Sequence, residues 1–130
     1  MTPEQRRFRR TRLIERVRTV EQRQSALAAA EAEAQRARLD AVSAKTRALA
    51  AHYSSATDAT DAQSLRRSGA MSSHLRDLSH MAERHARDAR DQSEASLAAL
   101  AQTERRRKRA EEDYRKAATT LREKLVARSR

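Results

Sequence analysis

A single proline and a single glycine in 130 residues constrain this chain more than any other feature. They are Pro3 and Gly69, so the long stretches between and after them contain no strong helix breaker. Ala, Glu, Lys, Leu and Arg make up 78 of the 130 residues, which is typical of long helices and coiled coils. The scarcity of β-branched and aromatic residues excludes a sheet domain and argues strongly against an ordinary enzyme. Disorder is disfavoured because disordered chains are usually rich in Pro and Gly.

Helix start and stop signals divide the chain into two helices. Thr2 precedes Pro3, and Gln5 follows three residues after Thr2, which predicts an N-cap with a capping-box partner. We expect a first helix over about residues 3–56, a Ser- and Asp-rich turn region over about 57–72 and a second helix over about 73–128. Either Thr60 or the pair Ser72 and Ser73 could cap the second helix. The predicted fold class is all-α, a single antiparallel coiled-coil hairpin spanning residues 1–130.

Apolar residues recur at helical spacing on both predicted helices, and on a straight helix each set covers one face. We therefore expect the two faces to pack together, with many small Ala residues beside them and only weak stability for the isolated hairpin. On the first helix the stripe comprises Leu13, Val17, Val20, Leu27, Leu39, Val42, Leu49 and Tyr53. On the second helix it comprises Met71, Leu75, Leu78, Ala82, Ala89, Ser96, Leu100, Tyr114, Leu121 and Leu125.

Positive charge is concentrated near both termini. Residues 1–18 carry a net charge of +5 and residues 104–130 carry +6, whereas the residues between them sum to zero. A hairpin would bring these two basic segments side by side, which predicts an acidic partner, either a protein or a nucleic acid. No recognised nucleic-acid-binding motif is present, and the three aromatic residues are too few for a base-stacking platform, so nucleic acid is the less favoured partner. A simply solvated basic face is the remaining interpretation.

Residue patterns that carry chemistry are missing. The chain has no Cys, no Gly-rich phosphate loop, no HExxH motif and no pair of His residues at i and i+4, so we expect no metal, no cofactor and no catalytic activity. Uncharged stretches are too short for a membrane span, and no signal peptide is visible, so we expect a cytoplasmic protein.

The chain resembles the flagellar FliJ family in its length, in RRFRRTRLIERVRTVEQR near the N-terminus, in LAAHY before a Ser-rich turn, and in HLRDLSHMAERH and ERRRKRAEEDYRKAATTLREK after it. The resemblance implies a component of the flagellar type III export apparatus, held at the inner membrane at the base of the flagellum through its partners. It implies binding of the hexameric export ATPase, the export-gate membrane protein and export chaperones. A scaffold of another secretion system and a basic nucleic-acid-binding coiled coil are the alternatives.

The family resemblance and the charge pattern together suggest two binding surfaces. Candidates for the ATPase contact are Arg6, Arg7, Arg9, Arg10, Arg105, Arg106, Arg107, Lys108 and Arg109. By resemblance to the family's gate-binding residues, candidates for the export-gate contact are Leu49, Tyr53, His74, Leu78, Met81 and His85.

Overall fold

Two long helices packed against each other make up the fold. The computed structural model describes residues 1–55 and 61–130, with α1 spanning Pro3–Ser55 and α2 spanning Ala62–Ser129. No strand occurs in these two ranges. The all-α class and the pairing of two helices are therefore confirmed.

The start of α1 is capped as the sequence predicts. The Thr2 backbone N–H donates to Gln5 Oε1 at 3.0 Å, and the Gln5 backbone N–H donates to Thr2 Oγ1 at 3.2 Å. This reciprocal pair is a capping box, and it satisfies two of the N–H groups that a helix start otherwise leaves without partners.

The start of α2 differs from the prediction, because the helix begins at Ala62 and not near residue 73. Asp61 is the N-cap: the Ser64 backbone N–H donates to Asp61 Oδ1 at 2.6 Å. Capping at Ser72 or Ser73 was wrong, and the other candidate, Thr60, lies outside the described residues. The predicted turn is too long because Ser-rich composition is typical of turns, whereas Ser68 and Ser72 lie on the inner face of α2.

The chain divides into two compact units. We call Met1–Ala29 with Ser96–Arg130 the terminal unit, and Ala30–Ala95 the central unit. Each unit contains one segment of α1 and one segment of α2.

Buried and half-buried residues of both helices alternate at spacings of three and four, which are the a and d positions of a heptad abcdefg. In the terminal unit these rows are Phe8, Thr11, Glu15, Arg18, Gln22, Ser25 and Ala29 on α1, and Ser96, Leu100, Thr103, Arg107, Ala110, Tyr114, Ala117 and Leu121 on α2. In the central unit they are Ala32, Arg36, Leu39, Ser43, Thr46 and Ala50 on α1, and Ser68, Ser72, Leu75, Ser79, Ala82, Ala86, Ala89 and Ser93 on α2.

The apolar stripe predicted on α1 is largely wrong. Only Leu39 of its eight residues is half-buried in the inner rows. The other seven are exposed, namely Leu13, Val17, Val20, Leu27, Val42, Leu49 and Tyr53. The predicted stripe assumes a straight helix, whose faces drift by about 20° per heptad relative to a strict seven-residue repeat. Over the length of α1 that drift moves the large side chains away from the seam, and small or polar residues at strict heptad spacing occupy it instead.

On α2 the predicted stripe is mostly confirmed. Leu75, Ala82, Ala89, Ser96, Leu100, Tyr114 and Leu121 all lie in its inner rows, whereas Met71, Leu78 and Leu125 are exposed. Most of the buried residues are Ala or Ser, and Leu75 is the largest side chain among them. The seam therefore buries little apolar area for its length, and weak stability of the isolated hairpin stays a prediction.

Candidate partner-binding surfaces

The terminal unit carries the entire net charge of the chain. Its sequence contains 19 Lys and Arg residues against 8 Asp and Glu residues, a net charge of +11. The central unit contains 10 of each kind and is neutral. The two basic segments that the sequence predicted to meet thus belong to one compact unit.

Contact between Phe8 and Tyr114 joins the two segments of the terminal unit. Their ring centroids are 5.4 Å apart, with the ring planes tilted by 32°. Since Arg7 and Arg9 flank Phe8, and Arg115 follows Tyr114, this contact brings N-terminal and C-terminal basic residues to the same part of the unit. Arg115 is not among the predicted contact residues, and its guanidinium bonds Glu111 at 2.6 Å.

Four predicted N-terminal contact residues are available to a partner. Arg6, Arg7, Arg9 and Arg10 are all exposed, and none forms an ion pair with another described residue. The C-terminal end of α2 adds to the positive field here. The pKa of Glu4 is lowered, chiefly by backbone hydrogen bonding at the start of α1 and also by the positive charges of Lys124 and Arg128.

The second predicted cluster, Arg105–Arg109, is also exposed to solvent except for Arg107. Arg105, Arg106, Lys108 and Arg109 are exposed. Arg107 instead lies in the inner row of α2, where its guanidinium approaches Glu111 at 3.3 Å and Glu104 at 3.8 Å. Arg107 is therefore part of the packing of the unit and is removed from the candidate contact surface.

The two clusters do not form one patch. Arg105–Arg109 precede Tyr114 by five to nine residues, which places them about 7–14 Å from the ring contact along the axis of α2, toward the start of that helix. The Arg6–Arg10 cations beside Phe8 and the Arg105–Arg109 cations earlier in α2 therefore lie at different levels of the terminal unit.

In the central unit, one flank of the helix pair is closed by ion pairs. Arg47 bonds Glu83 at 3.0 Å, and Arg90 bonds Asp40 at 2.9 Å. All four residues occupy e positions, as expected for the facing flanks of antiparallel helices.

Glu33 extends the polar network on this flank. It accepts hydrogen bonds from Arg36 and, at 3.0 Å, from the hydroxyl of Ser93, a residue only 3% exposed. These bonds, with the one from Arg36 dominant, lower the pKa of Glu33 and stabilise its ionised form. Arg36 also bonds Asp40 at 3.1 Å.

The opposite flank of the central unit is apolar and open. Because the e positions of both helices share one side, the g positions share the other, and these hold Leu49, Leu78 and His85. Val42 and Met71 also occupy g positions and are exposed. Sequence reasoning had assigned these last two to the buried stripe, so it missed them as members of this surface.

All six predicted export-gate residues are exposed, and none is buried in the seam. His74 and Met81 occupy c positions of α2, next to the g row, so they extend the surface around Leu78. Tyr53 lies at the end of α1, where its ring meets His52 edge to face at 5.7 Å. It lines a shallow groove with Leu65, Gly69, Ser72 and Arg76 of α2, among others.

Within residues 1–55 and 61–130, no cluster of three His, Asp or Glu side chains is placed to bind a metal ion. Among the same residues, neither helix contains a segment apolar and long enough to span a bilayer. No protein-family model, curated protein or solved structure matches this chain.

Proposed function

We propose that the chain is a non-enzymatic component of a flagellar type III export apparatus that couples the export ATPase to the export gate. In this proposal the terminal unit binds the hexameric ATPase, and the open g flank of the central unit binds the export-gate membrane protein. Export chaperones would be further partners. The observation that carries the proposal is the separation of a +11 unit from a neutral unit with an open apolar flank.

The basic surface supports an acidic protein partner. Arg6, Arg7, Arg9 and Arg10 are exposed and have no ion-pair partner among the described residues, so their charges are free to act on another molecule. Such charges raise association rates and favour partners of opposite sign, and their effect falls with ionic strength.

The g flank supports a second partner of different chemistry. Leu49, Leu78 and Met81 are exposed, and His74 and His85 border them, so the surface is apolar with few charges. Exposed apolar residues grouped on one side of a helix pair are typical of a protein-binding site. Two chemically distinct surfaces on one small chain fit a protein that joins two others.

Binding to the export ATPase of the same genome tests the proposal directly. The purified full-length chain is titrated against the ATPase at about 0.1 M salt, and again at higher salt. We expect binding that the variant R6E/R7E/R9E/R10E weakens about tenfold or more, because four free cations become anions.

A matched control reverses the same number of charges in the central unit. R66E/R67E/R84E/R87E changes four exposed arginines and is expected to leave ATPase binding within about twofold. An equal loss of ATPase affinity in both variants would reject the role of Arg6, Arg7, Arg9 and Arg10. Absence of binding by the unmodified chain would reject the proposed function.

Nucleic acid is the alternative that the same basic unit favours. Duplex binding with a steep decrease of affinity with salt would support it, whereas no duplex binding near 0.1 M salt would eliminate it. A scaffold of another secretion system is distinguished by binding to the ATPase of that system and not to the flagellar one.

A further inference from the structure

The first helix carries an apolar row that lies outside its contact with α2. Leu13, Val17, Val20 and Leu27 are spaced by four, three and seven residues, so they repeat with the heptad. They occupy f and c positions of α1, directly opposite the a and d rows that face α2. The row is about 21 Å long, which corresponds to two full heptads.

This row is exposed along its whole length. Leu13 and Val17 are each 55% exposed and Leu27 is 67% exposed, so α2 does not cover them. Four aliphatic side chains in one row on an outward face are a costly surface to leave in water. We call this row the outer stripe.

Three arginines border the outer stripe on one side. Arg9, Arg16 and Arg23 are seven residues apart, occupy b positions and are all exposed. None of them forms an ion pair with another described residue. In a coiled coil, charges beside the apolar seam select the partner through charges of opposite sign at its own seam edge.

A second copy of this chain does not match this pattern. Packed antiparallel, two outer stripes would place one row of arginines against the other, and like charges in contact are unfavourable. Two terminal units would also bring together net charges of +11 each. A helix with acidic residues beside an apolar heptad row fits both features.

We propose that the outer stripe is a docking site for an amphipathic α-helix of another protein, whose apolar heptad row is bordered by Asp or Glu residues. The docked helix would become the third helix of the terminal unit, with its acidic row against Arg9, Arg16 and Arg23. This site is distinct from the g flank of the central unit, and it does not depend on the role in flagellar export.

The test uses the full-length chain and three synthetic peptides about 21 residues long, three heptads each. The first peptide has Leu at heptad spacing bordered by Glu, the second has the same composition with its Leu residues scrambled, and the third has Lys in place of Glu. Fluorescence anisotropy at about 0.1 M salt measures their binding. We expect the first peptide to bind at least about tenfold more tightly than either of the others.

Two variants locate the site. V17Q/V20Q/L27Q removes the apolar row with a residue that favours helix, and R9E/R16E/R23E reverses the arginine row. Each is expected to weaken binding of the first peptide about tenfold or more, while V42Q/L49Q in the central unit leaves it unchanged. Circular dichroism confirms that each variant keeps the helix content of the unmodified chain.

Three outcomes would overturn the proposal. Equal binding of the scrambled acidic peptide would mean that charge alone is recognised, as for a polyanion. Unchanged binding by V17Q/V20Q/L27Q would place the peptide elsewhere. A dimer in sedimentation velocity that this variant abolishes would make a second copy the occupant.

Discussion

The rings of Phe8 and Tyr114 meet with centroids 5.4 Å apart, and they join the first turns of α1 to the C-terminal part of α2. Both rings are half-buried in rows otherwise formed mostly by small or polar side chains. The contact is therefore a main source of apolar stabilisation in the terminal unit, whose basic residues flank it.

Replacing either ring by Ala should destabilise the terminal unit. We expect Phe8→Ala or Tyr114→Ala to lower the free energy of unfolding by about 1–3 kcal/mol, less than for a fully buried ring. Urea unfolding followed by circular dichroism measures the change. The control is Leu13→Ala on the exposed face, which should cost no more than about 0.5 kcal/mol. Equal effects of Phe8→Ala and Leu13→Ala would contradict the ring contact.

Burial of Ala86 between the helices of the central unit predicts a strong effect of added volume. Ala86 is 2% exposed, so a Leu at this position has no room and should lower the free energy of unfolding by about 1–3 kcal/mol. Ala95→Leu adds the same atoms to an exposed position of the same helix and should change stability by less than about 0.5 kcal/mol. A neutral Ala86→Leu variant would show that the seam is loosely packed.

Much of the fold could be predicted from the sequence because its signals are local. The capping box of Thr2 and Gln5 and the lack of internal Pro depend only on neighbouring residues. The face of α2 was also predictable, since Leu100 and Tyr114 lie two heptads apart in one inner row and Leu75 lies in the other.

The face of α1 could not be predicted by following large apolar residues. Its seam is formed by residues such as Ala29, Ser43 and Ala50, which permit close helix approach, while Val20 and Leu27 remain outside. If the faces of α1 are ranked by hydrophobicity alone, the outer stripe is selected as the contact with α2 in place of the true seam. A repeat of small residues does not identify the seam either, because Ala30, Ala37, Ala44 and Ala51 lie seven residues apart and are all exposed.

The candidate surfaces depend on this distinction. The exposed gate residues of the sequence prediction are selected by resemblance, and Leu49, Tyr53 and Leu78 also belong to the predicted stripes. Their exposure, and the separate location of Arg107, follow from the register of two helices and could not be obtained from either helix alone.

Replacement of Gly69 is predicted to stabilise the protein, in contrast to the substitutions at Phe8, Tyr114 and Ala86. It lies inside α2 without a positive φ, and no atom lies within 4 Å of the position that a Cβ would take. Gly69→Ala should therefore raise the free energy of unfolding by about 0.5–1 kcal/mol, because Ala restricts the unfolded chain and favours helix. Ala70→Gly is the reciprocal control at an exposed neighbour and should lower stability by a similar amount. Thermal unfolding measures the stability of both variants. If residue 69 lay in a turn, Gly69→Ala would be the less stable of the two.

The cap at Asp61 predicts a local dependence on pH. Hydrogen bonding to the Ser64 backbone N–H lowers the pKa of Asp61 below its ordinary value. Because the folded pKa is the lower one, the stabilisation is complete above the unfolded pKa and is lost as the pH falls through the folded pKa. We expect NMR Cα shifts of residues 62–65 to lose helical character in acid. Asp61→Ala should show weakened helix at neutral pH as well, whereas Asp77→Ala should leave these shifts unchanged.

Arg107 and Arg109 differ by two positions in the chain, yet we expect their replacement to have different consequences. Arg107 is half-buried and bonded to Glu111, while Arg109 is exposed. Arg107→Ala should lower the free energy of unfolding by about 0.5–1 kcal/mol, because it removes an ion pair and the packing of a long aliphatic stem. Arg109→Ala should leave stability within about 0.3 kcal/mol and act, if the basic surface binds a partner, on association and its salt dependence. Urea unfolding of both variants separates the two roles, and a larger loss of stability for Arg109→Ala would reverse the assignment.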